Sequence, residues 1–335
     1  MWTRTATLPR RAYLARHLGF GSCIPVCSPC APNDGQLVSV PSSRCQLVID
    51  AHQHIGRQVA TGIGGAEPEW DVSADIAGRI ALMDRRGVDG AVVIAGHGYL
   101  RPRGAADTSA VNDAVASYRA ARPDRFVAAI GIAEPLHGEQ GIEEIERCAS
   151  ELGVRGISYH TRFQGVSLES PWVHRGIERI GELGLVPFIH AVGESASEQL
   201  WKVDVLAADF PDLTFVVLDA FSTFEQSALV PHVAARRPNL IFDTALAHGL
   251  GFVAALVDRC DPSRVVYGSD LHSTDTERPQ LHHLLPELLT TGWGEAATAS
   301  IVGQRILDVL GLDASSLDAT GRSAPLDDPI GGSHQ

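Results

Sequence analysis

Two histidines separated by one residue close a short apolar run, Val48-Ile-Asp-Ala-His-Gln-His-Ile-Gly56. Imidazole is the commonest protein ligand for transition metals. Residues two apart on a strand face the same side, so His52 and His54 present two nitrogens together. Two other apolar runs end in the same way. Leu185-Val-Pro-Phe-Ile-His190 ends on an imidazole, and Arg264-Val-Val-Tyr-Gly-Ser-Asp270 on a carboxylate. The plain alternative is surface histidines and an aspartate that caps a helix. Four ligand-type residues at matching run ends favour the metal reading. Three neutral imidazoles and one carboxylate suit a single divalent ion, zinc first and manganese second.

Other polar residues sit at comparable points. His160, in Ile157-Ser-Tyr-His-Thr-Arg-Phe-Gln-Gly165, is a candidate acid/base or substrate contact, or else an imidazole bonded to a loop carbonyl. Arg162 follows and can clamp a carboxylate in bidentate fashion, unless it is a surface arginine. Asp219, in Val217-Leu-Asp-Ala-Phe-Ser-Thr223, is a candidate base or a helix cap. His248 is a candidate substrate contact. Both His248 and His97 fall near the expected mouth and read as peripheral to the chemistry.

The elements that must carry these groups follow from periodicity. Apolar runs at Leu47–Ala51, Gly90–Ala95, Phe126–Ile132, Val154–Tyr159, Val186–Ile189, Thr214–Leu218, Leu240–Phe242 and Arg264–Tyr267 are rich in Val and Ile, as strands buried on both faces require. Segments with three- and four-residue apolar spacing lie between them: Ala74–Arg86, Ser109–Ala121, Ile142–Leu152, Val173–Leu183, Ala196–Asp209, Gln226–Arg236 and Phe252–Arg259. Gly87, Gly153 and Gly184 stand where helix C-termini favour glycine. Strands alternating with helices give a parallel sheet, and eight strands close it into a (β/α)8 barrel. An open doubly wound sheet needs a glycine-rich phosphate turn after its first strand, and His52-Gln-His-Ile-Gly-Arg57 is not one. In a barrel, all the candidate residues lie at the C-terminal ends of strands, where such folds place active sites.

Composition narrows the partners. A formal charge of −13 across 335 residues argues against nucleic acid or an anionic membrane surface, which demand a basic face. No apolar run reaches the roughly 18 residues of a membrane span. A small-molecule substrate remains, and sparse cysteines suit a reducing cytoplasm. Residues 1–45, rich in Pro, Ser, Cys and Arg, read as a poorly ordered extension, residues 46–312 as the barrel, and 313–335 as a flexible tail. Met1–Phe20 carries four arginines without a following apolar core, so it fails as a secretory signal. An organelle transit peptide ranks behind an irregular gene start.

In order along the chain come Ile49-Asp-Ala-His-Gln-His-Ile-Gly56, Asn112-Asp-Ala-Val-Ala116, Arg122-Pro-Asp-Arg-Phe-Val127, Gly153-Val-Arg-Gly-Ile157, Pro187-Phe-Ile-His190, Phe210-Pro-Asp-Leu213, Tyr267-Gly-Ser-Asp270 and Ile301-Val-Gly303 with Leu310-Gly-Leu312. Together they closely resemble the amidohydrolase-related family, which includes aminocarboxymuconate-semialdehyde decarboxylase, resorcylate-type decarboxylases and pyrone-dicarboxylate lactonase. The resemblance spans residues 46–312. It implies one divalent metal held by His52, His54, His190 and Asp270, and frequent pairing into homodimers. It also implies that Asp270 moves a proton in hydrolysis, or that the metal grips a substrate carboxylate in decarboxylation. The family usually carries a further histidine after the sixth strand. Here Ala220 takes that place, beside Asp219. Asp219 takes over as base, another histidine such as His160 reaches in, or the original chemistry is lost.

Hydrolysis of a lactone, ester or amide bond in a small polar molecule is the leading expectation, and decarboxylation of an aromatic or muconate-like acid the second. A repurposed barrel without turnover is the third. One further motif, Cys23-Ile-Pro-Val-Cys-Ser-Pro-Cys30, resembles the cluster-binding motif of radical S-adenosylmethionine enzymes. It precedes the barrel, follows no strand and has Pro29 where an aromatic residue is usual, which reads as coincidence.

Overall fold

The computed structural model describes residues 46–56, 70–98, 101–273 and 284–314. The expected extension, its three-cysteine motif and the tail from 315 onward lie outside these residues. Eight strands follow one another: β1 (Ile49–Ile55), β2 (Gly90–Ala95), β3 (Phe126–Ile132), β4 (Gly156–Tyr159), β5 (Val186–His190), β6 (Phe215–Leu218), β7 (Leu240–Asp243) and β8 (Val265–Val266). Each pairs in parallel with the next in chain order. The seam between β8 and β1 closes through the backbone. Ala51 N–H donates to the Tyr267 carbonyl at 2.8 Å, and His54 N–H to that of Leu271 at 2.8 Å. The result is the expected (β/α)8 barrel.

The helices are α1 (Val72–Arg86), α2 (Ala105–Ala121), α3 (Glu139–Ser150), α4 (Thr161–Gln164), α5 (Pro171–Glu182), α6 (Leu200–Asp209), α7 (Phe224–Arg236), α8 (Leu250–Arg259), α9 (Leu285–Thr290), α10 (Glu295–Ala299) and α11 (Arg305–Val309). Among the described residues, none is long and apolar enough to cross a membrane. Most boundaries shift by a few residues from the sequence reading, three of them for a local reason. β4 begins at Gly156 rather than Val154, because the Val154 amide bonds back to the Cys148 carbonyl in the turn that ends α3. β8 shrinks to two residues because Pro262–Arg264 forms a 3-10 turn, a place where proline's fixed φ is tolerated. α6 starts at Leu200, not Ala196, since residues 193–199 are taken up by turns that direct Glu198 inward.

Alternate strand residues divide into two layers. Ile49, Ala51, Val92, Ile94, Ile130, Phe188, Val216, Leu218, Ile241 and Val266 pack together with Ile306 and Leu307 in the barrel interior. Ala91, Val93, Ala129, Ile189 and Val217 pack outward against helix residues such as Met83, Val115, Ile145 and Val230. Gly303 lies in a π-helical turn, Ser300–Gln304, against the chain entering β1, where a Cβ would collide with the Leu47 carbonyl.

This alternation creates a problem that β1 solves with a bulge. Ile49 and Ala51 face the interior, so strict alternation would send Gln53 inward and both histidines outward. The β1–β2 register shifts between Asp50 and Gln53. The shift resets the phase and turns His52 and His54 into the barrel.

Gln53 turns out towards Arg79 of α1, a fully buried arginine that joins three elements. Its guanidinium donates to Gln53 Oε1 at 3.1 Å, to the His54 carbonyl at 2.9 Å, to the Leu271 carbonyl at 3.3 Å and to Tyr118 Oη at 3.1 Å. Tyr118 in turn donates to Asp75 at 2.6 Å. Asp50 works on the same seam, accepting from the His52 amide at 3.1 Å and from the Ser269 hydroxyl at 2.6 Å. These two residues lock the strand carrying the histidines to the segment carrying Asp270. Removing one partner of such a buried network strands the others without partners. Arg79→Met is therefore expected to lower the unfolding free energy by about 3–5 kcal/mol. Urea titration checks this, and a loss below about 1 kcal/mol would show that the network does not hold the seam.

Candidate metal centre

The four residues expected as ligands converge at the C-terminal mouth. His52 lies within the bulge in β1 and His54 just after it, His190 is the last residue of β5, and Asp270 follows β8. His52 Nε2 lies 3.0 Å from His54 Nε2, and His54 Nε2 lies 3.3 Å from His190 Nε2. Asp270 Oδ1 is 3.4 Å from His52 Nε2 and 3.6 Å from His54 Nε2. Two donors each about 2.1 Å from a tetrahedral ion stand about 3.4 Å apart, so these separations bracket one ion. Distal ring nitrogens are tied down behind. His52 Nδ1 meets Asp243 Oδ2 at 2.6 Å, and His190 Nδ1 meets the Tyr159 carbonyl at 3.0 Å. Each bond fixes the tautomer that leaves the Nε2 lone pair inward, as metal-ligating histidines require. His54 is instead stacked on the His272 ring, with centroids 4.9 Å apart.

Electrostatics agree with this reading. Burial, then the neighbouring imidazoles, holds His54 and His190 well below the ordinary histidine range, so they are neutral and able to ligate. Burial opposes charge on His52, yet the carboxylates of Asp270, Asp243 and Asp219 outweigh it and raise its imidazole to about 10. A divalent ion bound here would replace that proton and satisfy the same carboxylates. Asp219 is driven well above the usual carboxylate range by burial first and by Asp270 next.

The cluster faces a cavity of about 170 Å³. Asp219, His160, Arg162 and His97 all line it, together with His272 and Leu246. Asp219 does not cap α7, because Thr223 does, with its hydroxyl accepting from the Gln226 amide. The Asp219 amide instead donates to Asp243 Oδ1 at 3.0 Å. His160 Nδ1 bonds Glu198 Oε2 at 3.0 Å, leaving Nε2 for the cavity. Among the described residues, the three non-glycine residues with positive φ are Asp219 (61°), Leu246 (56°) and Asp270 (55°). All three line this cavity, and strained backbone of this kind concentrates at functional sites.

Two expectations are corrected. His248 does not reach the cavity. It lies exposed on the outer face, with Nε2 3.1 Å from the Ser222 carbonyl and its ring stacked on Phe224 at 4.5 Å. There it borders a separate groove between α7 and α8 with Ser227, His232 and Phe252. The chain turns outward at Leu246, and that turn carries His248 away. His97 is not peripheral: it is buried, 5.3 Å from the His190 ring, with Nε2 3.1 Å from Ser158 Oγ.

The sequence reading also missed Asp243, His272 and Glu198. Asp243 ends the apolar run Leu240-Ile-Phe-Asp243, the same signal that marked His190. His272 stands two residues beyond Asp270, and its Nε2 is 3.2 Å from Asp270 Oδ1. Glu198 sits in a turn-rich loop that carries no periodic signal. Because Asp243 fixes the His52 tautomer, Asp243→Asn is expected to weaken metal affinity about 10–100-fold without unfolding the barrel. Competition against a chromogenic chelator measures it, and unchanged affinity would remove Asp243 from the centre.

Comparison with known proteins agrees with the geometry. The family model described as "Amidohydrolase" matches residues 49–306. A 2-amino-3-carboxymuconate-6-semialdehyde decarboxylase of Dictyostelium discoideum is 31% identical over 107 residues, covering 31% of this chain and 30% of that protein. The fold is similar to that of 5-carboxyvanillate decarboxylase from Sphingomonas paucimobilis, with TM-score 0.59, 17% identity, and coverage of 80% of this chain and 100% of the other. The manganese-bound 5-carboxyvanillate decarboxylase of Novosphingobium aromaticivorans aligns with TM-score 0.60 and 16% identity, covering 80% and 98%. With eight parallel strands, converging metal-ligand residues and a family match over most of its length, this chain belongs to the amidohydrolase family and is an enzyme.

Proposed function

We propose that this enzyme hydrolyses a lactone, ester or amide bond in a small polar molecule, with one zinc ion held by His52, His54, His190 and Asp270. The family uses a divalent metal, and the donor set of three imidazoles and a carboxylate suits zinc, with manganese the alternative. An ion bound there supplies a Lewis acid and lowers the pKa of water towards neutrality. Asp270, whose carboxylate reaches both histidines of β1, accepts a proton from the attacking water and delivers it to the departing oxygen or nitrogen. Water is thereby added across the broken bond. His160 and Asp219 flank the reacting position from the ends of β4 and β6, in place of the absent strand-6 histidine. Arg162, on the exposed rim, orients a polar or anionic tail.

The observation that carries this reading is the charge of the site. Asp219 and Asp270 line the cavity, with Asp243 directly behind His52 and Glu198 behind His160. Among the described residues that line it, Arg162 is the one arginine or lysine. With one cationic side chain among the described lining residues, the chamber offers few partners to a multiply carboxylated acid, which favours an uncharged electrophile. The decarboxylase reading is second and rests on the 31% identity to the carboxymuconate-semialdehyde enzyme.

A panel of lactones, esters, amides and aromatic acids, assayed for acid release and for CO2, separates the two. Hydrolysis predicts one acid group per turnover and no CO2, with Asp270→Ala slowing the rate by about 10²–10⁴-fold. Release of CO2 from a carboxylated aromatic would overturn it, and full activity in the Asp270 variant would remove that residue from the chemistry.

A further inference from the structure

A buried carboxylate outside the metal centre organises one wall of the cavity. His160, Arg162 and Phe163 line the cavity from the end of β4 and from α4, and Glu198 lies behind them on the loop before α6. We propose that Glu198 is a positioning residue. It fixes the His160 tautomer so that Nε2 meets the cavity as a hydrogen-bond acceptor, and the substrate group recognised there is an N–H or O–H donor. The inference rests on the reading of His160 as a substrate contact and names the chemistry of that contact.

The hydrogen bonds at one oxygen carry the assignment. Glu198 is fully buried, and its Oε2 gathers three neighbours. The Arg162 amide donates to it at 3.1 Å, the Thr161 hydroxyl at 3.4 Å, and His160 Nδ1 lies 3.0 Å away. A backbone amide can only donate, so Oε2 acts as the acceptor of this cluster and Nδ1 supplies the hydrogen of its own bond. Burial holds the His160 imidazole down, at about 3, so the ring carries a single proton. With that proton on Nδ1, Nε2 keeps a lone pair.

Packing confines the ring, and the loop places Glu198. One face of His160 lies parallel to the His190 ring at 4.0 Å, while Phe163 and His97 meet it edge-on at 4.5 and 5.5 Å. The parallel stack sets His160 beside a metal-ligating ring, facing substrate rather than sharing the ion. Behind it, the Leu168 amide donates to the Ser197 carbonyl at 3.0 Å, the Gly193 amide to Ser222 Oγ at 2.8 Å, and the Leu200 amide to Gln226 Oε1 at 3.0 Å. These bonds seat the turn that carries Glu198. His97 lines the same cavity differently: its Nε2 meets the Ser158 hydroxyl, which both donates and accepts, so that bond does not fix a tautomer.

A fixed acceptor on this wall discriminates among substrates. A donor that gives up water on entering a buried site regains a partner at Nε2, and a molecule without one leaves the lone pair unpaired. Sites built to bond an N–H or O–H reject analogues that lack it. Because the same carboxylate holds the Arg162 amide, it also sets the root of the arginine at the rim. One side chain thus fixes both polar contacts of the β4–α4 segment.

The tautomer is read without turnover from long-range proton–nitrogen correlation spectra of the full-length, zinc-loaded protein carrying nitrogen-15 histidine. The His160 signals are identified by their loss in His160→Gln. The wild type is expected to show a protonated Nδ1 and a bare Nε2. Glu198→Gln, whose amide oxygen takes the place of Oε2, is expected to keep that form, and Glu198→Leu to show the Nε2-protonated form. Acetamide, added as the probe, is expected to shift the wild-type Nε2 signal. N,N-dimethylacetamide, which keeps the carbonyl but lacks the N–H, is expected to leave it in place. Acetamide binding is expected to weaken about five- to tenfold in Glu198→Leu. Zinc affinity is expected to be unchanged in both Glu198 variants, since among the described residues Glu198 bonds none of the four metal-ligand side chains. A protonated Nε2 in the wild type, or one tautomer in all three proteins, would overturn the positioning role. Equal shifts from the two amides, or a shift from neither, would overturn the donor. Failure of the wild type to bind zinc would instead overturn the metal-centre reading, and the tautomer is then read on the zinc-free protein.

Discussion

Three imidazole nitrogens 3.0–3.3 Å apart, with a carboxylate oxygen at 3.4 Å, gather four donor atoms in a buried pocket that is best satisfied by a proton or a cation among them. Lone pairs repel at that distance, and burial denies them water. A proton on His52 relieves part of the strain; a divalent cation relieves all of it. The rest of the mouth is organised to keep those four donors together. The β1 bulge turns the histidines inward, Asp243 and the Tyr159 carbonyl orient two rings, and Asp50 and Arg79 hold the seam beside Asp270.

The same chamber sets limits on its chemistry. A site for acid substrates would balance carboxylates with arginines, whereas this one surrounds its donors with further carboxylates and leaves Arg162 at an exposed rim. Such a field stabilises cations strongly and anions weakly. It therefore favours metal capture, and under the hydrolytic proposal an uncharged carbonyl as the electrophile. The absent strand-6 histidine fits the same logic. Ala220 takes the place where the family resemblance implies a histidine, and buried Asp219 beside it is held well above the usual carboxylate range.

Much of this was legible in the sequence because strands and their ends leave a local signature. The alternation of apolar runs with amphipathic segments gave the barrel, and polar residues ending those runs gave the four side chains that converge at its mouth. Legibility failed where three-dimensional closure decides. The bulge in β1 is invisible to period-two reasoning, which taken strictly from Ile49 would have turned His52 and His54 away from the interior. Glu198 sits in a loop without period and matters only because α4 and the loop before α6 meet. His248 was misread because a position after β7 does not reveal which way the chain turns, and at Leu246 it turns outward. Asp243 was the avoidable omission, since it ends its strand as His190 does.

The central claim, a divalent cation among His52, His54, His190 and Asp270, is tested most directly by anomalous diffraction from crystals soaked in Zn2+, recorded on both sides of the zinc absorption edge. The account predicts a strong anomalous peak within about 2.0–2.2 Å of His52 Nε2, His54 Nε2 and an Asp270 oxygen. An occupied peak elsewhere, or none at saturating zinc with these side chains ordered, would contradict it.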